Sequence, residues 1–226
     1  MNRFFVNCKE DNYFILDADV LKHLSVIRIQ DRNFICVYQE KFYECVLEHN
    51  KAKIIREINL FNEHKYKVIL ALSVIKYERF EWALQKATEL GVDIIIPMQT
   101  EFTNRELINH SKFQKRIPRF KSIIKNAAEQ SFRNKIPELL PLQTFDQVIT
   151  YQVDNKILAH EKVDFQIKIN QPISENTLFF VGPEGGFSDK EVTKAMDNNI
   201  KIVSLGKRIL RAETAALFML SQLEID

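Results

Sequence analysis

The spacing of apolar residues divides the chain into two regions. Over residues 1–66, short apolar runs are separated by polar turns, a pattern typical of an all-β domain. One short helix is predicted within this region, at residues 19–27. The strands are predicted at residues 4–6, 13–16, 34–38, 42–47 and 52–58. Strands of this length and spacing indicate a small β-barrel, and we place the domain boundary near residues 61–65.

From residue 67 onward, the pattern changes to strands that alternate with helices. Residues 67–75 form an apolar run, and the apolar residues that follow recur at helical spacing: Phe80, Ala83, Leu84, Ala87 and Leu90. Gly91 suits the end of this helix, because glycine readily adopts the left-handed conformation found there. A second strand is predicted at residues 92–96. A strand, a helix and a strand in succession predict a parallel α/β sheet.

The rest of the chain continues this alternation, so we assign residues 67–226 to one α/β domain. Residues 111–132 are predicted to be helical, with a break where Pro118 lies in the first turn of a second helix. Further strands are predicted at 156–160, 177–181 and 200–205, and further helices at 189–197 and 212–223.

The composition gives no sign of a membrane or secreted protein. No run approaches the ~18 consecutive apolar residues that a membrane helix needs, and charges soon follow the apolar N-terminal residues, unlike in a signal peptide. The three cysteines, Cys8, Cys36 and Cys45, lack C-x-x-C spacing, so we predict reduced packing residues. We expect a soluble cytoplasmic protein without a bound metal.

Positive charge is concentrated in one segment, although the net charge of the chain is only +2. This basic segment, residues 105–135, contains nine Lys and Arg residues against two Glu residues. A solvated helix face usually mixes both signs. A polyanionic partner such as RNA or DNA is therefore favoured, with a solvated face as the alternative.

A glycine loop, residues 182–187, follows a predicted strand. It contains three of the five glycines of the chain: Gly182, Gly185 and Gly186. Glycine allows positive φ and the close approach of a ligand, and Ser188 with Glu191 forms a capping box that starts a helix. This arrangement presents backbone N–H groups to a ligand, with a plain tight turn as the alternative. The spacing matches neither a P-loop nor a dinucleotide fingerprint.

A second loop, residues 205–211, precedes another helix some twenty residues further along. Loops at the carboxyl ends of parallel strands meet at the edge where open α/β sheets bind ligands. The alternative is a cationic loop, capped by Glu213 or Thr214, ahead of an ordinary core helix.

Together, the two loops resemble the RNA methyltransferases of the SPOUT superfamily. The matching residues are Gly-Pro-Glu-Gly-Gly at 182–186 and Leu-Gly-x-Arg-Ile-Leu-Arg-x-Glu-Thr-Ala at 205–215. Within that superfamily the chain most resembles the RsmE family, which methylates N3 of a uridine in small-subunit ribosomal RNA. Residues 76–92 and 127–133 also match, so the resemblance covers essentially the whole chain.

The resemblance implies a fold that the apolar pattern alone does not suggest. The α/β domain would be a SPOUT-type parallel sheet with a C-terminal trefoil knot, in which the last segment threads a loop. Residues 1–66 would form a PUA-like RNA-binding β-barrel. The family further implies a homodimer packed through the knot, S-adenosyl-L-methionine bound there in a bent form, and small-subunit ribosomal RNA, free or assembled, as substrate. Two residues depart from the family pattern, since Phe102 replaces a basic residue and Ala212 a threonine.

The resemblance also assigns binding residues by position. The cofactor pocket would contain Leu158, His160, Gly182, Glu184, Gly186, Leu205, Gly206, Ile209, Leu210, Arg211 and Thr214. RNA contacts would come from Arg28 in the PUA-like domain and, because of its concentrated positive charge, from the basic segment: Lys112, Lys115, Arg116, Arg119, Lys121, Lys125 and Arg133.

The chemistry of uridine defines the catalytic candidates. N3 bears a proton, so the enzyme must remove that proton or stabilise the anion. Glu184 and Glu213 are the candidate bases, and Arg133 and Arg211 the candidate stabilisers of negative charge. Each glutamate could instead fix a loop by accepting backbone N–H bonds, Arg133 could contact a phosphate, and His160 is expected in the pocket wall rather than as the base.

Two other functions remain as alternatives. A methyltransferase of the same superfamily could act on another RNA, such as transfer RNA. A ribosome-assembly protein could keep the fold and bind RNA without catalysis, although such a protein would be free to lose the Arg211, Glu213 and Thr214 group.

Overall fold

The structure, a computed structural model, describes residues 2–29, 32–164, 166–169 and 172–224. The chain forms two compact units. The first unit contains the residues up to Glu63 together with Ala128–Ile136. The second contains His64–Ala127 and the residues from Pro137 onward.

The first unit is built on one six-stranded sheet. Its elements are β1 (Arg3–Phe5), β2 (Cys8–Glu10), β3 (Tyr13–Ile15), α1 (Ala18–Val26), β4 (Phe34–Tyr38), β5 (Lys41–Glu48) and β6 (Lys51–Ile58). The strand order is β1-β4-β5-β6-β3-β2, with β1 and β4 parallel and the other neighbours antiparallel. The predicted strands and the predicted helix are all present, whereas β2, whose three residues are exposed, was not predicted.

The core of this sheet is built from apolar side chains, three of which are phenylalanines. Phe4, Phe14 and Phe34 are buried together with residues of α1. Cys36 and Cys45 are also buried and free, as predicted, but Cys8 is exposed, so the prediction that it is a packing residue is wrong. The hydrogen bond that the Cys36 thiol donates to Cys45, together with burial, raises the pKa of Cys36.

A buried ion pair holds the segment after α4 in the first unit. The guanidinium of Arg133 donates from Nη2 to Glu63 Oε2 at 2.6 Å and from Nε to Oε1 at 3.0 Å. The backbone N–H of Asn134 donates to the same carboxylate at 2.7 Å. Arg133 is 3% exposed and Glu63 is 6% exposed. Residues far apart in sequence are thereby joined within one core.

The second unit is an α/β fold with a parallel sheet, as the sequence predicted. The strands are β7 (Val68–Ser73), β8 (Ile94–Gln99), β9 (Glu138–Leu139), β10 (Gln143–Thr144), β11 (Asn155–Ala159), β12 (Thr177–Val181) and β13 (Lys201–Val203). The order is β10-β8-β7-β12-β11-β13, β9 also pairs with β8, and every pairing is parallel.

The helices of this unit include all those predicted, although the last one ends at Leu220 rather than at residue 223. They are α2 (Tyr77–Glu89), α3 (His110–Gln114), α4 (Ile117–Gln130), α5 (Phe145–Val148), α6 (Asp189–Asp197) and α7 (Ala212–Leu220). Pro118 lies in the first turn of α4, which confirms the predicted break. The capping box of Ser188 and Glu191 starts α6, and Gly91, with φ of +88°, follows α2. The short elements β9, β10 and α5 were not predicted.

Both faces of this sheet are covered, which explains why its central strands are mainly apolar. Along β7, Val68, Leu70 and Leu72 pack in one cluster with residues of α2 and α7. Ile69 and Ala71 point to the opposite face and pack in a cluster with residues of α5 and α6. No helix among the described residues is long and apolar enough to cross a membrane. The described residues also contain no group of three or more His, Cys, Asp or Glu side chains that could hold a metal ion.

Candidate active site

Three loops at the same edge of the parallel sheet enclose a cavity of about 350 Å³. Because β12, β11 and β13 are parallel neighbours, their carboxyl ends meet at one edge. The residues that follow these strands line the cavity: 159–161, 182–186 and 204–212. The volume falls within the range of small-molecule sites, roughly 300–1,000 Å³.

The glycine loop requires glycine at two of its positions. Gly186 has φ of +70°, and a Cβ added there would lie 3.0 Å from both carboxylate oxygens of Glu161. A Cβ on Gly182 would lie 3.1 Å from the backbone carbon of Gly186 and from the ring of Phe187. The loop therefore folds closely on itself, and its residues line the cavity.

The second loop is exposed and cationic. Gly206 has φ of +111° with open space where a Cβ would lie, and Ile209 is 85% exposed. Arg211 is the N-cap residue of α7 and makes no capping hydrogen bond with its side chain. With Arg211 at the N-cap position, Glu213 and Thr214 lie inside the helix, which argues against a cationic loop capped by either residue.

An arginine that the sequence analysis did not single out joins the two candidate bases. Arg79, in the first turn of α2, places Nη1 3.4 Å from Glu184 Oε1 and Nε 3.8 Å from Glu213 Oε1. The Glu184 side chain is 47% exposed and that of Glu213 is 11% exposed. Glu213 Oε2 is buried and has no hydrogen-bond partner among the described residues. The only available signal for Arg79 was its position within residues 76–92, which match the family.

His160 lies in the cavity wall, and its buried Nδ1 is suited to a polar group of a bound molecule. Its Nδ1 has no hydrogen-bond partner among the described residues and lies 3.7 Å from Glu161 Oε2. Buried polar groups of proteins are almost always hydrogen-bonded. A polar group of a bound molecule would satisfy this nitrogen, so the cavity fits a ligand that is polar as well as apolar.

The structure gathers nine of the eleven residues expected at the cofactor around this cavity. They are His160, Gly182, Glu184, Gly186, Leu205, Gly206, Ile209, Leu210 and Arg211. Leu158 precedes the cavity-lining residue Ala159 in β11 and is buried in the core. Thr214 is exposed on α7. Neither lies in the cavity wall. The sequence analysis missed Glu161, Ser204 and Arg208, which do.

The position of Arg133 does not support the expected role at the uridine or at a phosphate. A guanidinium buried in the first unit and paired with Glu63 is not presented on the surface of that unit. We therefore assign Arg133 a structural role. Arg28, the other RNA contact expected in the first unit, is exposed.

The basic segment is exposed over most of its cations, but two of its arginines pair with one carboxylate. Lys112, Lys115 and Lys121 are exposed, and Lys125 is half-buried. Arg119 Nε lies 2.7 Å from Glu81 Oε1 and Arg116 Nη1 3.8 Å from the same atom. The hydrogen bond to Glu81 raises the pKa of Arg119. This part of the helix face thus mixes both signs of charge.

Comparison with known proteins finds the same family over nearly the whole chain. A family model described as RNA methyltransferase domain matches residues 62–224. The ribosomal RNA small subunit methyltransferase E of Mesomycoplasma hyopneumoniae (strain 232) is 42% identical over 229 residues, covering 98% of this chain and 98% of that protein. The protein of the same name from Bacillus subtilis (strain 168) is 31% identical, with coverage of 98% and 95%.

A solved structure shows a similar backbone. The crystal structure of a ribosomal RNA small subunit methyltransferase E from Neisseria gonorrhoeae, bound to S-adenosyl methionine, matches with a TM-score of 0.85 and 28% sequence identity. The match covers 98% of this chain and 95% of that chain. The similarity therefore extends to both units.

Proposed function

The chain belongs to the RNA methyltransferase family of ribosomal RNA small subunit methyltransferase E, and from this we infer that it methylates N3 of a uridine in small-subunit ribosomal RNA. It is an S-adenosylmethionine-dependent ribosomal RNA methyltransferase. The observation that carries this function is the cavity at the ends of β12, β11 and β13, where the glycine loop and the second loop meet.

The residues of this cavity fit S-adenosylmethionine. The glycine loop offers backbone groups at close approach, and Leu205 and Leu210 offer apolar surface. The Nδ1 of His160, which has no hydrogen-bond partner within the described part of the chain, offers a polar contact. When bound, the cofactor supplies a methyl group on a positively charged sulfur. We propose that these residues hold it, together with the second loop.

We propose that Glu184 accepts the proton of uridine N3. It lies in the cavity wall and is half exposed, so a base that enters the cavity can reach it. Glu213 is buried, so we assign it a positioning role through Arg79. Arg211 is exposed in the wall and can stabilise negative charge on the flanking carbonyl oxygens.

The finer features of the fold and assembly are part of the same proposal. We propose a PUA-like RNA-binding domain at residues 1–66, a methyltransferase domain at 67–226 with a C-terminal trefoil knot, a homodimer and a cytoplasmic location. The near full-length match to the Neisseria gonorrhoeae structure supports this fold. In the proposed homodimer, α7 would lie at the contact between subunits, where Phe218, which is 41% exposed, would be covered.

Transfer of labelled methyl groups to a panel of RNAs tests this function. Purified protein is incubated with tritiated S-adenosylmethionine and with small ribosomal subunits, free small-subunit RNA or transfer RNA. We expect label in small-subunit RNA, as particle or as free RNA, and none in transfer RNA. Label in transfer RNA alone would establish the alternative substrate, and binding without transfer to any RNA would establish the non-catalytic alternative.

A further inference from the structure

An exposed aromatic side chain lies directly against the glycine loop. The side chain of Phe102, in the loop after β8, is so close to Gly185 that a Cβ added to Gly185 would lie 3.1 Å from Phe102 Cβ and 3.5 Å from Cγ. Phe102 nevertheless remains 51% exposed. Single exposed apolar residues are common on protein surfaces. The informative feature of Phe102 is therefore its position beside the cavity.

The loop that holds Phe102 is fixed by buried hydrogen bonds. The hydroxyl of Thr103 accepts from the backbone N–H of Thr100 at 2.9 Å, and both threonines are 5% exposed. The backbone N–H of Thr103 donates to the carbonyl of Thr100 at 3.2 Å. Phe102 therefore projects from a turn that Thr100 and Thr103 close by hydrogen bonds.

One carboxylate also couples this turn to the glycine loop. Glu191 is 8% exposed, and its Oε1 accepts from the backbone N–H of Glu101 at 2.9 Å. Its Oε2 accepts from the backbone N–H of Ser188 at 2.9 Å, just after the glycine loop. Hydrogen bonds thus fix the residues on either side of Phe102 relative to the cavity wall.

The chemistry of the substrate identifies what this aromatic surface can bind. A base that is methylated at N3 must leave its pairing and stacking, because N3 lies on the pairing edge. Proteins that bind unstacked RNA bases commonly place aromatic side chains against their faces. A ring fixed beside the cavity is positioned for such a base.

We propose that Phe102 is a stacking platform for an unpaired nucleobase of the RNA substrate at the mouth of the cavity. This inference rests on the proposed function, since it requires RNA at this cavity. It assigns Phe102 to substrate binding and leaves cofactor binding to the two loops.

Three substitutions at Phe102 separate stacking from simple packing. Phe102→Leu keeps an apolar side chain without an aromatic face, Phe102→Ala removes both, and Phe102→Tyr keeps the ring. We expect kcat/KM for RNA to fall by about ten- to a hundredfold in the leucine and alanine variants, the range expected for one stacked base. The tyrosine variant should stay within about threefold of the unchanged protein, since it retains the stacking face. Affinity for S-adenosylmethionine should not change in any of them.

A leucine variant that uses RNA as well as the unchanged protein would overturn the proposal. A leucine variant that loses its dimer mass in light scattering would assign Phe102 to a subunit contact and overturn it equally. If the unchanged protein methylates RNA in the same assay, either result leaves the proposed function standing.

A fluorescence measurement tests the stacking without catalysis. Trp82 is the single tryptophan of the chain, so the variant Trp82→Phe with Phe102→Trp reports from position 102 alone. We expect small-subunit RNA to quench this fluorescence and heparin, a polyanion without bases, to leave it unchanged. No quenching by RNA, or equal quenching by heparin, would contradict the proposal even if no methyl transfer were detected.

Discussion

At the scale of single residues, one arginine joins the two loops that carry the family motifs. Arg79 contacts Glu184 in the glycine loop and Glu213 at the start of α7. Glu213 is the more buried of the two carboxylates, so it depends more on this countercharge. Arg79 therefore positions both glutamates without lying in the cavity wall itself.

Replacement of Arg79 by alanine should weaken both stability and turnover. A buried carboxylate without its charged partner is expected to lower the free energy of unfolding by about 1–3 kcal/mol. Displacement of the two loops should lower single-turnover methyl transfer on the order of tenfold or more. Urea denaturation and rapid-quench assays at saturating RNA and cofactor measure the two effects.

Two further variants test whether the unpaired charge of Glu213 causes the loss of stability in Arg79→Ala. Glu78→Gln removes an exposed charge from the same turn of α2 and should change neither quantity. In the Arg79→Ala protein, Glu213→Gln should restore part of the lost stability, because it removes the unpaired charge. A double variant no more stable than Arg79→Ala would show that the ion pair does not explain the loss.

The glycine loop provides a second prediction at this scale. Gly186→Val forces a branched side chain into positive φ and against the Glu161 carboxylate, 3.0 Å from the added Cβ. We expect loss of S-adenosylmethionine binding in calorimetric titration, with the protein still folded by circular dichroism. Unchanged titration would mean that the cofactor does not bind at this loop.

At the scale of elements, a carboxylate on α2 affects how the arginines of the basic segment can bind RNA. Glu81 of α2 pairs with Arg119 and lies near Arg116 of the α3–α4 region. The negative charge of Glu81 would repel an RNA phosphate that approached these two arginines. The exposed lysines of the segment, such as Lys112 and Lys121, have no such partner recorded in the described part of the chain.

Replacing both Arg116 and Arg119 by alanine should weaken RNA binding. The loss should be about equal for cognate and unrelated sequences, because phosphates carry no sequence information. The slope of log affinity against log salt should weaken by roughly 0.7–0.9 for each lost contact. Glu81→Gln should have the opposite effect and raise RNA affinity. If Glu81→Gln leaves affinity unchanged, the two arginines do not contact phosphate and this face is only solvated.

Elements with a strong local signal could be predicted from sequence, and those without one could not. Helix α6 begins where predicted because the capping box of Ser188 and Glu191 is local chemistry. Strand β2 has no apolar residue facing a core and was missed. Arg79 was missed because its contact with Glu184 joins residues 105 positions apart, which no local pattern encodes. For the same reason, the burial of Arg133 against Glu63 could not be anticipated.

At the scale of the whole molecule, the chain returns to its first unit in the last turn of α4. Residues 128–136 belong with that unit, and the Arg133–Glu63 ion pair lies at their centre. Breaking a buried pair by removing one partner leaves an uncompensated charge. The stability of the first unit should therefore depend on Arg133, which lies 70 positions after its partner Glu63 in the sequence.

Arg133→Ala should destabilise the first unit by about 3–5 kcal/mol. Hydrogen exchange followed by mass spectrometry should show faster exchange in β4, β5 and β6, and Glu63→Gln should show the same pattern. Single-turnover transfer per folded molecule should stay close to that of the unchanged protein. A large loss of transfer without faster exchange would restore Arg133 as a catalytic residue.

The identity of the methylated atom tests the account most directly. Small-subunit ribosomal RNA that lacks the modification is incubated with the protein and methyl-labelled S-adenosylmethionine, then digested to nucleosides and analysed by mass spectrometry. We predict label in 3-methyluridine, and loss of that label in Glu184→Gln with cofactor binding retained. Label in a ribose-methylated or C5-methylated nucleoside, or full 3-methyluridine formation by Glu184→Gln, would contradict it.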